Sequence, residues 1–276
     1  MIYASDLDQT LIYSVRSMGM DVDLSVMQPA ETYKERIISY ISIATLQQLQ
    51  RVAQQITFVP VTTRTLDQYA RIHIFQNNVI PQYAITSNGA NILVNGVVDQ
   101  AWHEQILADV YAKSVPAAEA LAIFHSVSDP SWIVAEHFWE STFYSIVVDR
   151  ELMPLDTVLA LQPQLESLGW GMSVQGRKVY LVPFPVSKNR AITEVKQRVG
   201  ASKVIASGDS ILDRGLLDIA DYSIAPAHGE LYRESVAEPA LRHYSFTSKA
   251  GIFAADEILQ YVVATLDTEG KVSYES

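Results

Sequence analysis

The chain contains no cysteine. Disulfide scaffolding, thiolate catalysis and cysteine-ligated zinc are therefore excluded. A basic surplus is lacking too: 20 Lys and Arg stand against 31 Asp and Glu in 276 residues, a formal net charge of -11. Such a field repels a polyanion on average, so no nucleic-acid partner is expected. The nearest basic clusters, Arg177-Lys178 and Lys188-Asn189-Arg190, are short and lie among apolar residues, which suits a local anion site better than a nucleic-acid track. Nowhere do 18 uncharged apolar residues run together, and Met1-Ile2-Tyr3-Ala4 passes into Ser5-Asp6 with no basic segment and apolar stretch of the leader type. No membrane association and a cytoplasmic location are the resulting expectations. The six histidines form no HExxH pair, and internal repeats, low-complexity tracts and heptads are missing.

What is present is an apolar content of 49%, enough for two modest domains or one large one. Short apolar runs alternate with helical patterns, the signature of an α/β sheet covered by helices. Ile2-Tyr3-Ala4 is the first run and ends at Asp6. A polar, irregular stretch around Gly19, Asp23 and Pro29 follows. Ile41, Thr45, Leu46, Leu49, Val52 and Ala53 then recur at helical spacing. Ile56 to Val61 reads as a strand, with Pro60 arguing against a fully paired central position. Leu66, Tyr69, Ala70 and Ile74 predict one helix, and Tyr83 to Thr86 a strand ending at Ser87-Asn88-Gly89.

The same rhythm resumes near Ser187, which can cap a helix with the stripe Ala191, Ile192, Val195 and Val199 and with Gly200 at its end. Lys203 to Ser207 and Tyr222 to Ala225 are further strands, and Ser248 is placed to cap a last helix. Residues 90–185 differ in texture. They hold a hairpin signal at Asn95-Gly96, a helix around Glu104 to Lys113, strand-like runs at Trp132 to Ala135 and Thr142 to Val148, a helical pattern over Leu155 to Leu168, and a second hairpin at Gln175-Gly176. This predicts an α+β insert at 90–185 between two parts of an α/β core, 1–89 and 186–276.

Polar residues collect where the strands end, which is where open parallel sheets bind ligands. Asp6 and Asp8 flank Leu7, so both can reach the mouth while Leu7 packs inward. One carboxylate can bind a cation and attack phosphorus; the other can pass a proton to the leaving oxygen. Without a cation two such close acids repel each other, and Mg²⁺ with its preference for oxygen ligands resolves the conflict. Asp209 is a further ligand, and Asp213 can orient it or hold a metal-bound water. Thr62 offers a hydroxyl and Lys188 a positive charge to a phosphoryl group. A lysine in the first turn of a helix runs against the dipole preference, which points to a local anion.

These residues carry a resemblance. Asp6-Leu7-Asp8-Gln9-Thr10 resembles the first signature of the haloacid dehalogenase (HAD) superfamily. Val61-Thr62-Thr63-Arg64 is similar to the second, with Thr63 where the sugar-phosphatase branch usually has glycine. Ser187-Lys188-Asn189-Arg190-Ala191 resembles the lysine signature, and Gly208-Asp209-Ser210-Ile211-Leu212-Asp213 the acidic fourth. The insert resembles the type-two B cap of that branch, which includes sucrose-phosphate and other hexose-phosphate phosphatases. The resemblance implies a HAD-like Rossmannoid core with a parallel sheet and an inserted α+β cap. It also implies Mg²⁺-dependent hydrolysis of a small phosphorylated metabolite, a sugar phosphate. Asp6 would form an aspartyl-phosphate and Asp8 would act as acid and then base. Asp6, the Asp8 backbone carbonyl and Asp209 would hold Mg²⁺, while Thr62 and Lys188 would bind the phosphoryl group.

Asn88, in a stretch common at the entry to such caps, is a candidate substrate contact. Arg64 is another, either at the phosphate mouth or paired with an acid; Arg177 with Lys178, and His228, complete the set. The tryptophans Trp102, Trp132, Trp139 and Trp170 all fall in the insert, filling a small core or stacking on a sugar. Two departures stand out: Leu212 where the branch commonly has asparagine, and Pro226-Ala227-His228-Gly229-Glu230 in place of its small-residue and asparagine pattern. The alternatives are a phosphosugar mutase of phosphomannomutase type and a catalytically weak binding or regulatory protein. Either a monomer or a homodimer fits the chain.

Overall fold

The strands that end at the candidate residues are short and nearly all apolar, as expected for strands covered on both faces. The computed structural model describes residues 1–20, 22–238 and 243–272. In chain order the first strands are β1 (Ile2–Ser5), β2 (Met27–Tyr33), β3 (Arg36–Ser42), β4 (Thr57–Pro60), β5 (Tyr83–Thr86), β6 (Asn91–Val94) and β7 (Val97–Val98). They are followed by β8 (Ile133–Trp139), β9 (Phe143–Val148), β10 (Trp170–Gln175), β11 (Lys178–Pro183), β12 (Val204–Ser207), β13 (Tyr222–Ala225) and β14 (Ser245–Phe246). The helices are α1 (Ile43–Gln55), α2 (Leu66–Tyr69), α3 (Ile74–Asn77), α4 (Gln100–Lys113), α5 (Ala117–His125) and α6 (Leu155–Leu159). After them come α7 (Gln162–Ser167), α8 (Lys188–Arg198), α9 (Arg214–Asp218), α10 (Glu230–Ala237) and α11 (Phe253–Val272).

The central sheet has the order β14-β13-β12-β1-β4, and every pairing in it is parallel. β1 lies between β4, which follows it in the chain, and β12, which returns from the far end; the crevice beyond its carboxyl end is the expected ligand site. Both faces are buried. Ile2, Ala4, Val59 and Val204 pack with α8 and α9 on one side, and Tyr3, Phe58, Ile205 and Ile224 pack with α1 and α11 on the other. Pro60 is the last residue of β4, and beyond it the sheet continues only through the Val61–Ile85 bridge. Its missing N–H therefore interrupts no extended ladder.

The inserted α+β cap carries its own antiparallel sheet, β10-β11-β9-β8, with a core of Phe124, Trp132, Ile146, Leu165, Trp170 and Leu181 beneath α5, α6 and α7. The change of texture at residue 90 does not coincide with a change of sheet. β6 pairs antiparallel with β5, and Asn95 and Gly96 take the left-handed conformations of a two-residue hairpin turn. Trp102 and Ile106 of α4 join the central core as well, so Trp102 is not part of the cap core.

Several expectations are corrected. The stretch taken as irregular contains the hairpin β2–β3, bulged next to Pro29 and turned at Lys34 and Glu35, both at positive φ. Neither residue is a usual signal for that turn, and the bulge breaks the two-residue alternation. The single helix over Leu66 to Ile74 is two short ones, α2 and α3, separated by a turn at Arg71–His73. Ser187 occupies the N-cap of α8 but its side chain makes no capping bond. Ser248 lies ahead of α11 and instead binds the Glu257 carboxylate through its amide and hydroxyl. Helices α5, α9 and α10 and strand β14 carry no strong sequence signal.

Candidate active site

At the end of β1 the ladder continues one residue further, the Asp6 amide donating to Ser207 O at 2.9 Å. The chain then folds tightly on Leu7, whose carbonyl accepts from the amides of Thr10, Leu11 and Ile12. Leu7 is fully buried, while Asp6 and Asp8 face a cavity. Gln9 sits at φ 61° to let the turn close.

Two other strand ends and the start of one helix supply the remaining groups. The Asp213 carboxylate Oδ2 accepts from the Asp209 and Ser210 amides at 3.1 and 3.0 Å, which shapes the loop after β12. Its Oδ1 accepts from Lys188 Nζ at 2.5 Å, and the same ammonium donates to Asp6 Oδ1 at 2.6 Å. Lys188 starts α8, and its side chain is almost wholly buried between these two acids. Thr62 follows β4; its amide donates to Ile85 O and its hydroxyl oxygen accepts from the Arg64 amide at 3.1 Å, leaving the hydroxyl proton free to donate. Thr62 is buried behind the wall that Thr63 and Arg64 present to the cavity.

Asp6, Asp209 and Asp213 each bring one carboxylate oxygen within 4.8 Å of the others. Burial pushes the Asp6 carboxyl up to about 7, against the pull of the Lys188 charge, and Asp213 and Asp8 add to the rise. Burial also raises Asp209 well above the usual carboxylate range, with Asp6 and Asp213 reinforcing it. For Lys188 burial works downward, yet the two carboxylates outweigh it and keep the ammonium charged. When ionised, three buried acids against one lysine carry excess negative charge, and the donors are all hard oxygens. Such a set fits a divalent cation of the Mg²⁺ kind.

Asp8 behaves differently. Arg64 meets it with Nε and Nη2, and desolvation, which would raise its carboxyl, is overcome by that guanidinium, so Asp8 is held below its ordinary value. The two readings of Arg64 are thus both met: it lines the cavity and pairs with an acid. Its Nη1 also donates to Glu31 Oε2 at 2.7 Å. Glu31 is buried on β2, with Arg71 Nε 3.1 Å from its other oxygen. Sequence reasoning missed Glu31, because the bulged hairpin that buries it was unrecognised.

The cavity, about 760 Å³, lies between these acids and the cap sheet. His137 and Trp139 of β8 line its far wall with ring centroids 4.9 Å apart, and Tyr180 of β11 joins them. Arg177 and Lys178, at the tip of the β10–β11 hairpin, overhang it. Asn88 does not line it. That side chain is buried and donates to Val186 O at 3.3 Å, bracing the link to α8. His228 is likewise fixed away from it: Nε2 donates to Gln9 O at 3.0 Å and Nδ1 accepts from the Gly251 amide at 3.1 Å. Acceptance at Nδ1 requires the neutral ring, protonated at Nε2, and burial holds its pKa below the usual value.

The family model described as sucrose-6F-phosphate phosphohydrolase matches residues 1–250. No curated protein sequence matches the chain. Among solved structures the chain is similar to the sucrose-phosphatase from Synechocystis sp. PCC6803 in complex with sucrose and phosphate. The identity is 16% and the TM-score 0.65, over 95% of this chain and 97% of that one. A HAD subclass IIB sugar phosphatase aligns at 14% identity and TM-score 0.59, over 95% and 98% of the two chains. A HAD phosphatase from Bacteroides thetaiotaomicron aligns at 14% and 0.54, over 93% and 92%. Identities this low speak to the fold alone. No described helix is long and apolar enough to cross a membrane.

Proposed function

The chain belongs to the sucrose-6F-phosphate phosphohydrolase family, in the sugar-phosphatase branch of the HAD superfamily, and on that footing we propose that it is a Mg²⁺-dependent phosphomonoester hydrolase of a sugar phosphate. The observation that carries the reading is the meeting of Asp6, Lys188, Asp209 and Asp213, from two strand ends and the start of one helix, at one buried point. In this reading residues 1–89 and 186–276 form the catalytic core and 90–185 the cap segment, with the hairpin after Asn91 still seated on the core.

Asp6, the Asp8 backbone carbonyl and Asp209 would hold Mg²⁺, which when bound supplies charge to neutralise the transferring oxygens. Asp6 attacks phosphorus; the phosphorus–oxygen bond to the sugar breaks, and Asp8 gives a proton to the departing oxygen. Water then attacks the aspartyl-phosphate, Asp8 takes its proton, and inorganic phosphate leaves with Asp6 restored. Lys188 and the Thr62 hydroxyl steady the phosphoryl oxygens, while Asp213 keeps Lys188 charged and aimed. Arg177 reaches toward the substrate from the cap, and the aromatic wall of Trp139 and His137 receives the sugar. Asn88 and His228 shape the surrounding loops.

Because Arg64 holds Asp8 ionised, the first proton transfer requires that grip to loosen as the phosphate arrives. The decisive experiment measures phosphate release from sucrose 6-phosphate and a panel of hexose phosphates, with and without Mg²⁺. Mg²⁺-dependent phosphate release that Asp6→Asn abolishes is expected. Full activity in Asp6→Asn would reject the nucleophile, and an isomerised phosphosugar without free phosphate would indicate a mutase instead.

A further inference from the structure

Glu140 stands in the turn between β8 and β9, yet its carboxylate is spent outside the cap sheet. Oε1 accepts from the Leu66 amide at 2.8 Å, and Oε2 accepts from Asn91 Nδ2 at 2.5 Å and from the Ser87 hydroxyl. These donors lie 74, 49 and 53 residues away in the chain. Among the described residues no Lys, Arg or His pairs with Glu140, and its carboxylate is instead met by these three hydrogen-bond donors. The turn itself is unfavourable for its residues. Glu140 and Ser141 both take left-handed backbone angles, φ 48° and 57°, without glycine or asparagine to ease them.

What Glu140 joins matters for the site. Its three partners belong to segments already stitched to the phosphate side: the Ser87 amide donates to Arg64 O at 2.8 Å and the Asn88 amide to Thr62 O at 3.0 Å. On the cap side, Trp139 is the adjacent residue and His137 lies two before it, both on the cavity wall. The loop that positions Thr62 and Arg64 and the strand that carries the aromatic wall therefore meet through one carboxylate.

We propose that Glu140 is a positioning residue that registers the cap wall against the phosphate-side loop and thereby sets recognition of the substrate beyond its phosphate. This rests on the phosphohydrolase reading, and its test has an arm that does not. Hydrogen exchange on the full chain reads the latch directly. In Glu140→Ala, amides over 64–68, 87–92 and 137–143 exchange about tenfold faster, while those over 204–213 are unchanged. Glu140→Gln, of nearly equal size, keeps one acceptor oxygen but turns an NH2 group toward the remaining donors, and gives a smaller increase over the same segments. In kinetics with sucrose 6-phosphate, or glucose 6-phosphate if the former is not turned over, KM rises about fivefold with kcat little changed. For p-nitrophenyl phosphate, which has no sugar to meet the wall, both constants stay within about twofold. Asn91→Ala on top of Glu140→Ala adds nothing further, as expected for two ends of one contact. Unaltered exchange in both Glu140 variants, or equal losses with both esters, overturns the proposal. A wild-type chain that hydrolyses neither ester rejects the phosphohydrolase reading, and the exchange result then decides the latch alone.

Discussion

Arg64 grips Asp8 through two parallel hydrogen bonds, Nε to Oδ2 at 2.7 Å and Nη2 to Oδ1 at 2.8 Å, while its remaining nitrogen holds buried Glu31. The pair keeps Asp8 ionised, whereas a proton donor must be protonated when the leaving oxygen departs. Arg64→Ala should therefore let the Asp8 carboxyl rise, and the pH at which kcat/KM starts to fall should move upward. The plateau should drop roughly tenfold as the fork-shaped contact is lost. Arg64→Lys should not restore it, because a point charge cannot make both bonds. A pH–rate profile of the Ala variant that superimposes on the wild type would remove Arg64 from control of Asp8.

Among the described residues Lys188 is the sole ammonium between Asp6 and Asp213, at 2.6 and 2.5 Å. Lys188→Met keeps the bulk and deletes the charge, leaving two buried carboxylates facing each other. Breaking a buried pair in this way costs about 3–5 kcal/mol. Urea unfolding in the absence of metal should show that loss, and Mg²⁺ should recover part of it by taking over the charge balance. A variant as stable as the wild type without metal would mean the acids are protonated there and the ion pair contributes little.

Much of the site could be read from the chain because its acids sit directly after apolar runs, so strand ends and ligand position were visible together. Asp6, Lys188, Asp209 and Asp213 meet as that pattern implied. The parts that were hidden depend on pairing between distant segments. Glu31 is inward-facing only because β2 bulges against β3, and Glu140 is a latch only because β5, β6 and α2 converge on it. Neither has a local periodicity to announce it. Asn88 and His228 stand at suggestive places in the chain but do not line the cavity: backbone groups of Val186, Gln9 and Gly251 hold the Asn88 Nδ2 and both nitrogens of the His228 ring.

The acid cluster also sets a pH dependence. Burial raises Asp6 from 3.8 to about 7, so the folded chain holds that proton more tightly than the unfolded one. The contribution to stability is then complete below about pH 4 and is lost as pH rises through about 7. Mg²⁺ competes with the same proton. The gain in Tm on adding Mg²⁺ should accordingly be larger at about pH 8 than at about pH 5.5, and Asp6→Asn should flatten the difference. Thermal unfolding with and without Mg²⁺ across that range is the check; a gain indifferent to pH would place the ion away from Asp6.

The loop bearing Asp209 is held from outside by the start of α10. The Leu231 amide donates to Asp209 O at 3.1 Å, Glu230 Oε2 accepts from the Ile211 amide at 3.0 Å, and Gly229 lies flat against the loop. A Cβ at Gly229 would stand 2.6 Å from the Asp209 carbonyl oxygen and 3.1 Å from its Cα and Cβ, all of them atoms that cannot swing aside. Gly229 has an ordinary φ of -70°, so Gly229→Ala tests the close approach without backbone strain. The loop must shift by several tenths of an ångström, moving the Asp209 carboxylate relative to Asp6. Metal affinity should weaken by about tenfold, within the range seen when groups that orient a metal ligand are lost. Gly229→Ala deletes no charge from the cluster of Lys188, Asp6 and Asp213, so metal-free stability should fall less than in Lys188→Met. Calorimetric titration with Mg²⁺ measures the affinity. An unchanged value would show that the Asp209 loop keeps its place without the packing of Gly229, and that the stretch from Pro226 to Glu230 has no part in holding it.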